Sequence, residues 1–413
     1  MRFEFLPAFK GDCFLIQAGS EAAPFLILVD GGPAGTYRTH LRKRLVALRE
    51  NRGLDETRPL RINLVIVSHV DDDHINGIID LFTEIRDARR AGDLPLFEVE
   101  ALWHNSFDAI LGNDEVAAEI AQFGAASFAP LVAESDSPEA FDAGLILQSI
   151  QQGQDLRDLA EALGIEINPG FDGLVRTRAG EATRRRIGGI DVTIIGPRES
   201  ELRKLQKDHD KWLAKRRAAG EPVTPASLLQ ALTDESVANL SSIVLLVERD
   251  GQSALLTGDA RSDFILSGLE ESGLVDPGGS IEIGLLKMPH HGSDRNVDED
   301  FLRRIPARRY LFSGDGEHGN PERATFEMLL AARPAAPMDW YLTYSAEEID
   351  AERQRDHDKE REKELKKQRD GKRIKPGQPR PPWDADAHAV ATLVGQLPPN
   401  VRVHEPDGPV ILD

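Results

Sequence analysis

The densest chemistry in this chain lies in Ser68-His69-Val70-Asp71-Asp72-Asp73-His74, where six consecutive positions from His69 carry two histidines and three aspartates. We select His69, Asp71, Asp73 and His74 as the ligand set. The segment follows the apolar run Leu64 to Val67. Ionisable groups at the end of a buried strand cost several kcal/mol to desolvate unless something compensates them. A divalent cation does so. Alternating residues of an extended turn point the same way, so His69 and Asp71 can chelate one ion. Asp73 and His74 enter the next helix and face a second. Histidine with carboxylate ligation suits Zn, Mn or Fe, and the carboxylate share favours Mn or mixed occupancy. The competing reading is an acidic capping turn with Asp73 as the N-cap of a helix starting at Ile75.

Two distant segments follow the same logic. Thr257-Gly258-Asp259-Ala260 comes after Leu255-Leu256 and puts one carboxylate at a strand end, where it could bridge two ions. Lys287-Met288-Pro289-His290-His291-Gly292-Ser293 comes after Leu285-Leu286 and offers adjacent histidines, with the choice between His290 and His291 left open. Lys287 itself is a candidate for a buried stem whose ammonium touches the site.

These three motifs, in this order, resemble the metallo-β-lactamase superfamily, and most closely the branch typified by the hydrolase domain of ComEC-type competence proteins. Gly11-Asp12 before a strand, Val29-Asp30-Gly31-Gly32 after the next, Ile195-Gly196-Pro197 and Asn239-Leu240-Ser241-Ser242 resemble the same family, over roughly residues 3 to 321. The resemblance implies an α/β (α+β) fold, a four-layer αββα sandwich with the site at one edge, two divalent ions (Zn or Mn), and hydrolysis. It implies Asp30 outside the ligands, accepting the other N–H of a ligand histidine. It implies a further ligand between the first motif and Asp259, for which His104 in Leu102-Trp103-His104-Asn105 is the candidate. It points to Asp73 and His318 as catalytic groups, His318 donating a proton or gripping a phosphate at the mouth of the site. Most of the superfamily has histidine where this chain has Asp71, a departure shared with the competence-like branch that changes metal preference.

The elements that must position these groups are short apolar runs ending in polar or glycine-containing turns. Phe14 to Ile16, Phe25 to Val29, Leu64 to Val67, Val192 to Ile195, Ile243 to Val247, Ala254 to Leu256, Ile283 to Met288, Tyr310 to Phe312 and Trp340 to Tyr344 form the series. Continuous apolar runs suit strands covered on both faces, so helices should flank the sheets. Helical stretches at about 108–165 and 198–236 read as insertions. The expected organisation is a hydrolase core over 1–345, a charged helical arm or linker over 346–382, and a helix and strand over 383–413 that return to the core.

With 413 residues, 40% of them hydrophobic, the chain has ample material for a core. The net charge of −20 argues against a protein that coats nucleic acid nonspecifically. Basic patches occur at Arg184-Arg185-Arg186, along Arg203 to Arg217, and between Glu352 and Lys375, where 11 Lys or Arg face 7 Asp or Glu. The plainest reading of all three is solvated helix faces. The alternative is steering of a polyanion. One cysteine, Cys13, reads as buried filler and suits a reducing cytoplasm. No run reaches the ~18 apolar residues of a membrane span, and the N-terminus lacks a secretory pattern.

The expected function is a dinuclear phosphodiesterase or nuclease acting on nucleic acid or another phosphodiester. Two alternatives stand beside it: a low-specificity carboxylic or phosphoric ester hydrolase, and a metal-binding scaffold or sensor with protein partners in a multi-gene system such as prokaryotic defence.

Overall fold

In the computed structural model the described residues are 1–20, 22–106, 109–110, 138–221, 224, 241–371, 373–374 and 377–413. Of the two expected insertions, residues 108, 111–137, 222–223 and 225–236 lie outside the described residues.

Seven strands form the first sheet: β1 (Arg2–Phe5), β2 (Phe14–Gly19), β3 (Pro24–Val29), β5 (Leu64–Ile66), β7 (Ala101–Trp103), β8 (Glu166–Ile167) and β17 (Val410–Leu412). Their order is β17-β1-β2-β3-β5-β7-β8. β4 (Leu60–Ile62) and β6 (Phe97–Val99) make a separate parallel pair. The second sheet comprises β9 (Thr183–Ile187), β10 (Ile190–Gly196), β11 (Val244–Arg249), β12 (Gln252–Leu256), β13 (Ile283–Lys287), β14 (Ala307–Phe312), β15 (Met338–Leu342) and β16 (Val401–His404). Its order is β16-β15-β14-β13-β12-β11-β10-β9. Each sheet runs antiparallel first and parallel after, changing at β3/β5 and at β12/β13.

Strand period decides the layering. Side chains alternate across a strand, so a run buried on both faces divides between two cores. Phe14, Ile16, Ile27, Val29, Leu64 and Ile66 meet Ile194, Leu245, Leu256, Leu285 and Leu311 between the sheets. The intervening Leu15, Leu26, Leu28, Val65 and Val67 face outward onto helices α1 (Arg42–Asn51), α2 (Asp72–Ala91) and α3 (Pro138–Leu163). Helix α4 (Glu199–Ala219) follows β10, and on the other side of the second sheet Leu246, Leu255, Leu286, Tyr310 and Trp340 meet Ile265 of α5 (Ser262–Glu271), Phe301 of α6 (Glu299–Arg304), Phe326 of α7 (Arg323–Ala332) and Ile349 of the helix that follows. The result is a four-layer αββα sandwich, with helices flanking the sheets as the apolar runs imply. Each such side chain contributes about 1.5–3 kcal/mol of burial.

Two expectations change in detail. The helix after the first motif starts at Asp72, so Asp71 is its N-cap and Asp73 stands in its first turn. Arg184-Arg185-Arg186 lies on β9, the edge strand of the second sheet, rather than on a helix. Within 346–382, helix α8 (Ala346–Arg369) opens with a capping box of Ser345 and Glu348 and buries Ala346 and Ile349. From its second turn, Arg353 Nε donates to the Gly319 carbonyl at 3.0 Å. No described helix is long and apolar enough to cross a membrane.

Candidate metal centre

Ligand-type residues stand just beyond the C-terminal ends of adjacent strands: Asp30 after β3, His69 after β5, Asp259 after β12, and His290 and His291 after β13. Strand ends in parallel sheets leave a crevice where side chains from different strands converge. Backbone proximity does the rest. Gly31 N donates to the His74 carbonyl at 2.7 Å, bringing the turn after β3 against the first turn of α2. A Cβ on Gly77 would lie 2.0 Å from the Gly31 carbonyl oxygen, so only glycine permits the approach.

Asp259 is the hub. Its Oδ1 lies 3.3 Å from His74 Nε2 and 3.6 Å from His291 Nε2. Its Oδ2 lies 3.5 Å from His290 Nε2 and 3.7 Å from His69 Nε2. Asp73 adds to the first group, with an oxygen 3.5 Å from His291 Nε2 and another 3.9 Å from His74 Nε2. Asp71 adds to the second, 3.4 Å from His69 Nε2. Two lobes therefore share one carboxylate, and the structure brings His69, Asp71, Asp73, His74, Asp259, His290 and His291 together. Adjacent side chains of a strand point opposite ways, yet both histidines of the pair reach Asp259. Left-handed backbone makes this possible, with φ of 47° at His290 and 54° at His291. Asp30, at φ 54°, is held likewise, and such conformations persist only where the surroundings impose them.

Each histidine has its other nitrogen engaged from outside. His74 Nδ1–H donates to Asp30 Oδ2 at 2.9 Å. His290 Nδ1 lies 3.1 Å from Asn296 Oδ1, His291 Nδ1 lies 3.1 Å from Ser313 Oγ, and His69 Nδ1 lies 3.1 Å from Ser68 Oγ. Asp30 also accepts from Ser68 N and Ser68 Oγ, both at 2.7 Å. The Nε2 atoms thus aim inward. Those of His69, His74 and His291, with Asp259 Oδ1, are buried without a hydrogen-bond partner. Buried polar atoms are normally satisfied, and a converging group of orphans is what a bound cation would satisfy. The donor set of imidazole and carboxylate fits a divalent ion of the Zn or Mn type.

The electrostatics agree. Burial favours the neutral form of His74, yet Asp259, Asp30 and Asp73 outweigh it and hold the imidazole well above its ordinary range. His291 is raised in the same way by Asp259 and Asp12, against burial. Burial lowers His290. Asp259 and Asp73 stay below the usual carboxylate range despite burial, because histidines surround them. Without an ion, protons must supply the positive charge.

Asp12, His74, Asp259 and His291 offer ligand atoms within 4.8 Å of one another. Asp12 nevertheless differs from the rest. It stands on the Nδ1 side, 3.4 Å from His291 Nδ1. In the sequence, Gly11-Asp12 stands out only as a family landmark. The signal for it is a lone carboxylate directly before the apolar run Cys13 to Ile16, matched by the lone Lys287 inside another apolar run.

Two expected site residues stand apart from these contacts. His104 is buried at the end of β7, its backbone exchanging hydrogen bonds with the Asn168 amide. Its ring lies toward Val70 and Gly153. His318 is about half exposed, its backbone N–H donating to Asp356 and its Nε2 3.2 Å from Lys10 Nζ. The loop that bears it passes His291 at Gly314.

No family model matches the chain. Microtubule-associated protein 1A of Rattus norvegicus is 32% identical over 99 residues, covering 22% of this chain and 3% of that protein. The mouse protein (Mus musculus) of the same name is 33% identical over 92 residues, covering 21% and 3%. The chain thus spans about 3% of the length of the curated relatives it matches. A solved structure from Parabacteroides distasonis, provisionally named a metal-dependent hydrolase, overlaps 82% of this chain and 97% of its own at 9% identity and a TM-score of 0.30. A likeness at that score carries no argument for fold or activity. None of these three is a competence-protein hydrolase domain, so that narrower resemblance rests on the motifs alone.

Proposed function

We propose that this chain is a dinuclear metal-dependent hydrolase of metallo-β-lactamase type, acting as a phosphodiesterase or nuclease. The observation that carries the reading is the division of Asp259: one oxygen faces His74 and His291, the other His69 and His290. In this reading Asp73, His74 and His291 would hold one ion and Asp71, His69 and His290 the other, with Asp259 serving both sets. When bound, such a pair supplies Lewis acidity and brings a water's pKa toward neutrality.

The chain's own residues do the rest. Ser68, Asp30, Asn296 and Ser313 fix the imidazoles from outside. Asp71, Asp73 and His290 are the partly exposed members, with side-chain exposures of 31%, 21% and 30%, so they line the open side from which a substrate enters. Asp73, on that side, would accept a proton. Lys10 and His318 lie 3.2 Å apart with the Glu317 carboxylate against both, and with an anionic substrate bound this cluster would hold one of its oxygens or protonate its leaving group, which favours a phosphodiester over a neutral carboxylic ester. The basic stretch of α8 would steer a polyanion toward an otherwise acidic molecule. Residues 1–345 would be the hydrolase core, 346–382 the steering arm and 383–413 the returning segment, with a reducing cytoplasm suiting the single buried thiol Cys13. His104 remains a candidate additional ligand.

The test is metal-dependent turnover of single-stranded DNA, plasmid, a cyclic dinucleotide, bis-p-nitrophenyl phosphate and a p-nitrophenyl carboxylic ester, with Asp259→Ala as control. Hydrolysis of diesters that is lost in Asp259→Ala is expected. Turnover of the carboxylic ester alone would replace this reading with a general esterase, and no turnover by a metal-loaded protein would replace it with a scaffold or sensor.

A further inference from the structure

Lys287 ends β13 with 1% of its surface exposed, the only lysine among the described residues to be so buried. Its Nζ lies 2.5 Å from Asp12 Oδ2 and donates to the Gly258 carbonyl at 3.2 Å. Asp12, 3% exposed, turns its other oxygen to His291 Nδ1 at 3.4 Å, and its Oδ2 is 3.9 Å from His74 Nδ1. A buried carboxylate this near a cation site has two courses: to ligate the ion, or to orient the histidines that do. A buried ammonium 2.5 Å from one oxygen decides between them, because it neutralises the carboxylate and draws it to the lysine side.

We propose that Lys287 is a positioning residue that holds Asp12 on the outer, Nδ1 face of His291, so that Asp12 steadies that imidazole beside Ser313 instead of competing for the cation. Through Gly258 the same ammonium pins the turn immediately before Asp259. Three parts of the centre thus hang on one side chain: the bridging carboxylate, the orientation of His291, and the exclusion of Asp12 from the ligand set. This rests on the metal reading above. It adds that the lobe of Asp73, His74 and His291 depends on a charge outside the ligands.

The test is a cycle of wild type, Lys287→Met, Asp12→Asn and the double variant. Two quantities are read: affinity for Mn and Zn by competition with a chelating dye, and the urea midpoint of the metal-free protein. Lys287→Met alone leaves an unpaired buried anion and should weaken the ion affinity 10- to 100-fold, the range for a lost orienting partner. The double variant carries a neutral pair, so it should bind at least tenfold more tightly than Lys287→Met and regain most of its lost midpoint. Groups acting as a pair are non-additive in this way. If Lys287→Met does not fold, a folded double variant with the affinity of Asp12→Asn gives the same support. Unchanged affinity in Lys287→Met, or a double variant that is unfolded or binds no better than Lys287→Met, overturns the proposal. Wild type that takes up neither ion overturns the metal reading itself, an outcome distinct from wild type and Lys287→Met loading alike.

Discussion

Asp30→Asn offers a sharp test of how the centre is tuned, because it changes one oxygen to an amide without changing shape. Asp30 Oδ1 accepts from Ser68 N at 2.7 Å, so the amide oxygen of the variant must stay there. The new NH2 then occupies the Oδ2 position, 2.9 Å from His74 Nδ1 and 2.7 Å from Ser68 Oγ. A donor now faces a nitrogen that was donating. His74 must shift its proton to Nε2, the atom aimed at Asp259, and a protonated Nε2 cannot ligate. The loss is therefore that of an orienting partner, about 10- to 100-fold in metal affinity, or roughly 1.4–2.7 kcal/mol. The same figure must appear in stability. With ion held at 100 times the wild-type Kd, binding adds about 2.7 kcal/mol to unfolding free energy, and a hundredfold weaker variant keeps only about 0.4 of it. Competition with a chelating dye gives the affinity, and urea unfolding with and without Mn gives the linked stability. Wild-type affinity in Asp30→Asn would refute the inward-facing Nε2 assignment, as would an affinity loss with no matching loss of metal-induced stability.

Other outcomes follow from the same geometry. His74 and His291 are raised, so in the metal-free protein their protonation adds stability that is complete below an unfolded pKa of about 6.5 and is lost as pH rises through their folded values. Asp12, Asp73 and Asp259 are lowered, so their contribution is present above about 3.9 and is lost as pH falls through their folded values. Ion binding displaces the histidine protons, so stabilisation by Mn should grow between pH 5.5 and pH 8; urea titrations showing a constant or shrinking gain contradict this. Gly77→Ala sets a methyl 2.0 Å from the Gly31 carbonyl and should cost about 1–3 kcal/mol in urea unfolding while lowering metal affinity, because it parts Asp30 from His74. Replacing the exposed Lys363, Lys366 and Arg369 with Gln should raise KM for single-stranded DNA several-fold at low salt and leave bis-p-nitrophenyl phosphate unaffected. Equal KM values for DNA would remove the steering role.

Much of the fold was legible because its strands are buried on both faces and so read as continuous apolar runs, each ending where a site residue stands. The first-motif cluster was legible for the same reason, since charge concentrated at the end of Leu64 to Val67 has no cheap alternative to a cation. What the sequence did not separate is direction. Asp12 and Asp73 are both aspartates near strand or helix ends, and only the packing of Gly11-Asp12 against Asp73 and Lys287 puts one outside the histidines and the other inside. The choice between His290 and His291 was likewise hidden, because a pair of positive φ values cannot be read from residue type where glycine is absent. Arg184 to Arg186 misled as a helix face, since alternating exposure on an edge strand solvates charges equally well.

The most direct measurement is the metal content of the purified chain after equilibration with Mn or Zn and removal of loose ions, beside Asp259→Ala prepared identically. Because six ligand-type side chains group in two lobes about Asp259, wild type should hold close to two ions per chain and Asp259→Ala fewer than one. Wild type without bound metal, or an Asp259→Ala variant loaded as fully as wild type, would contradict the account.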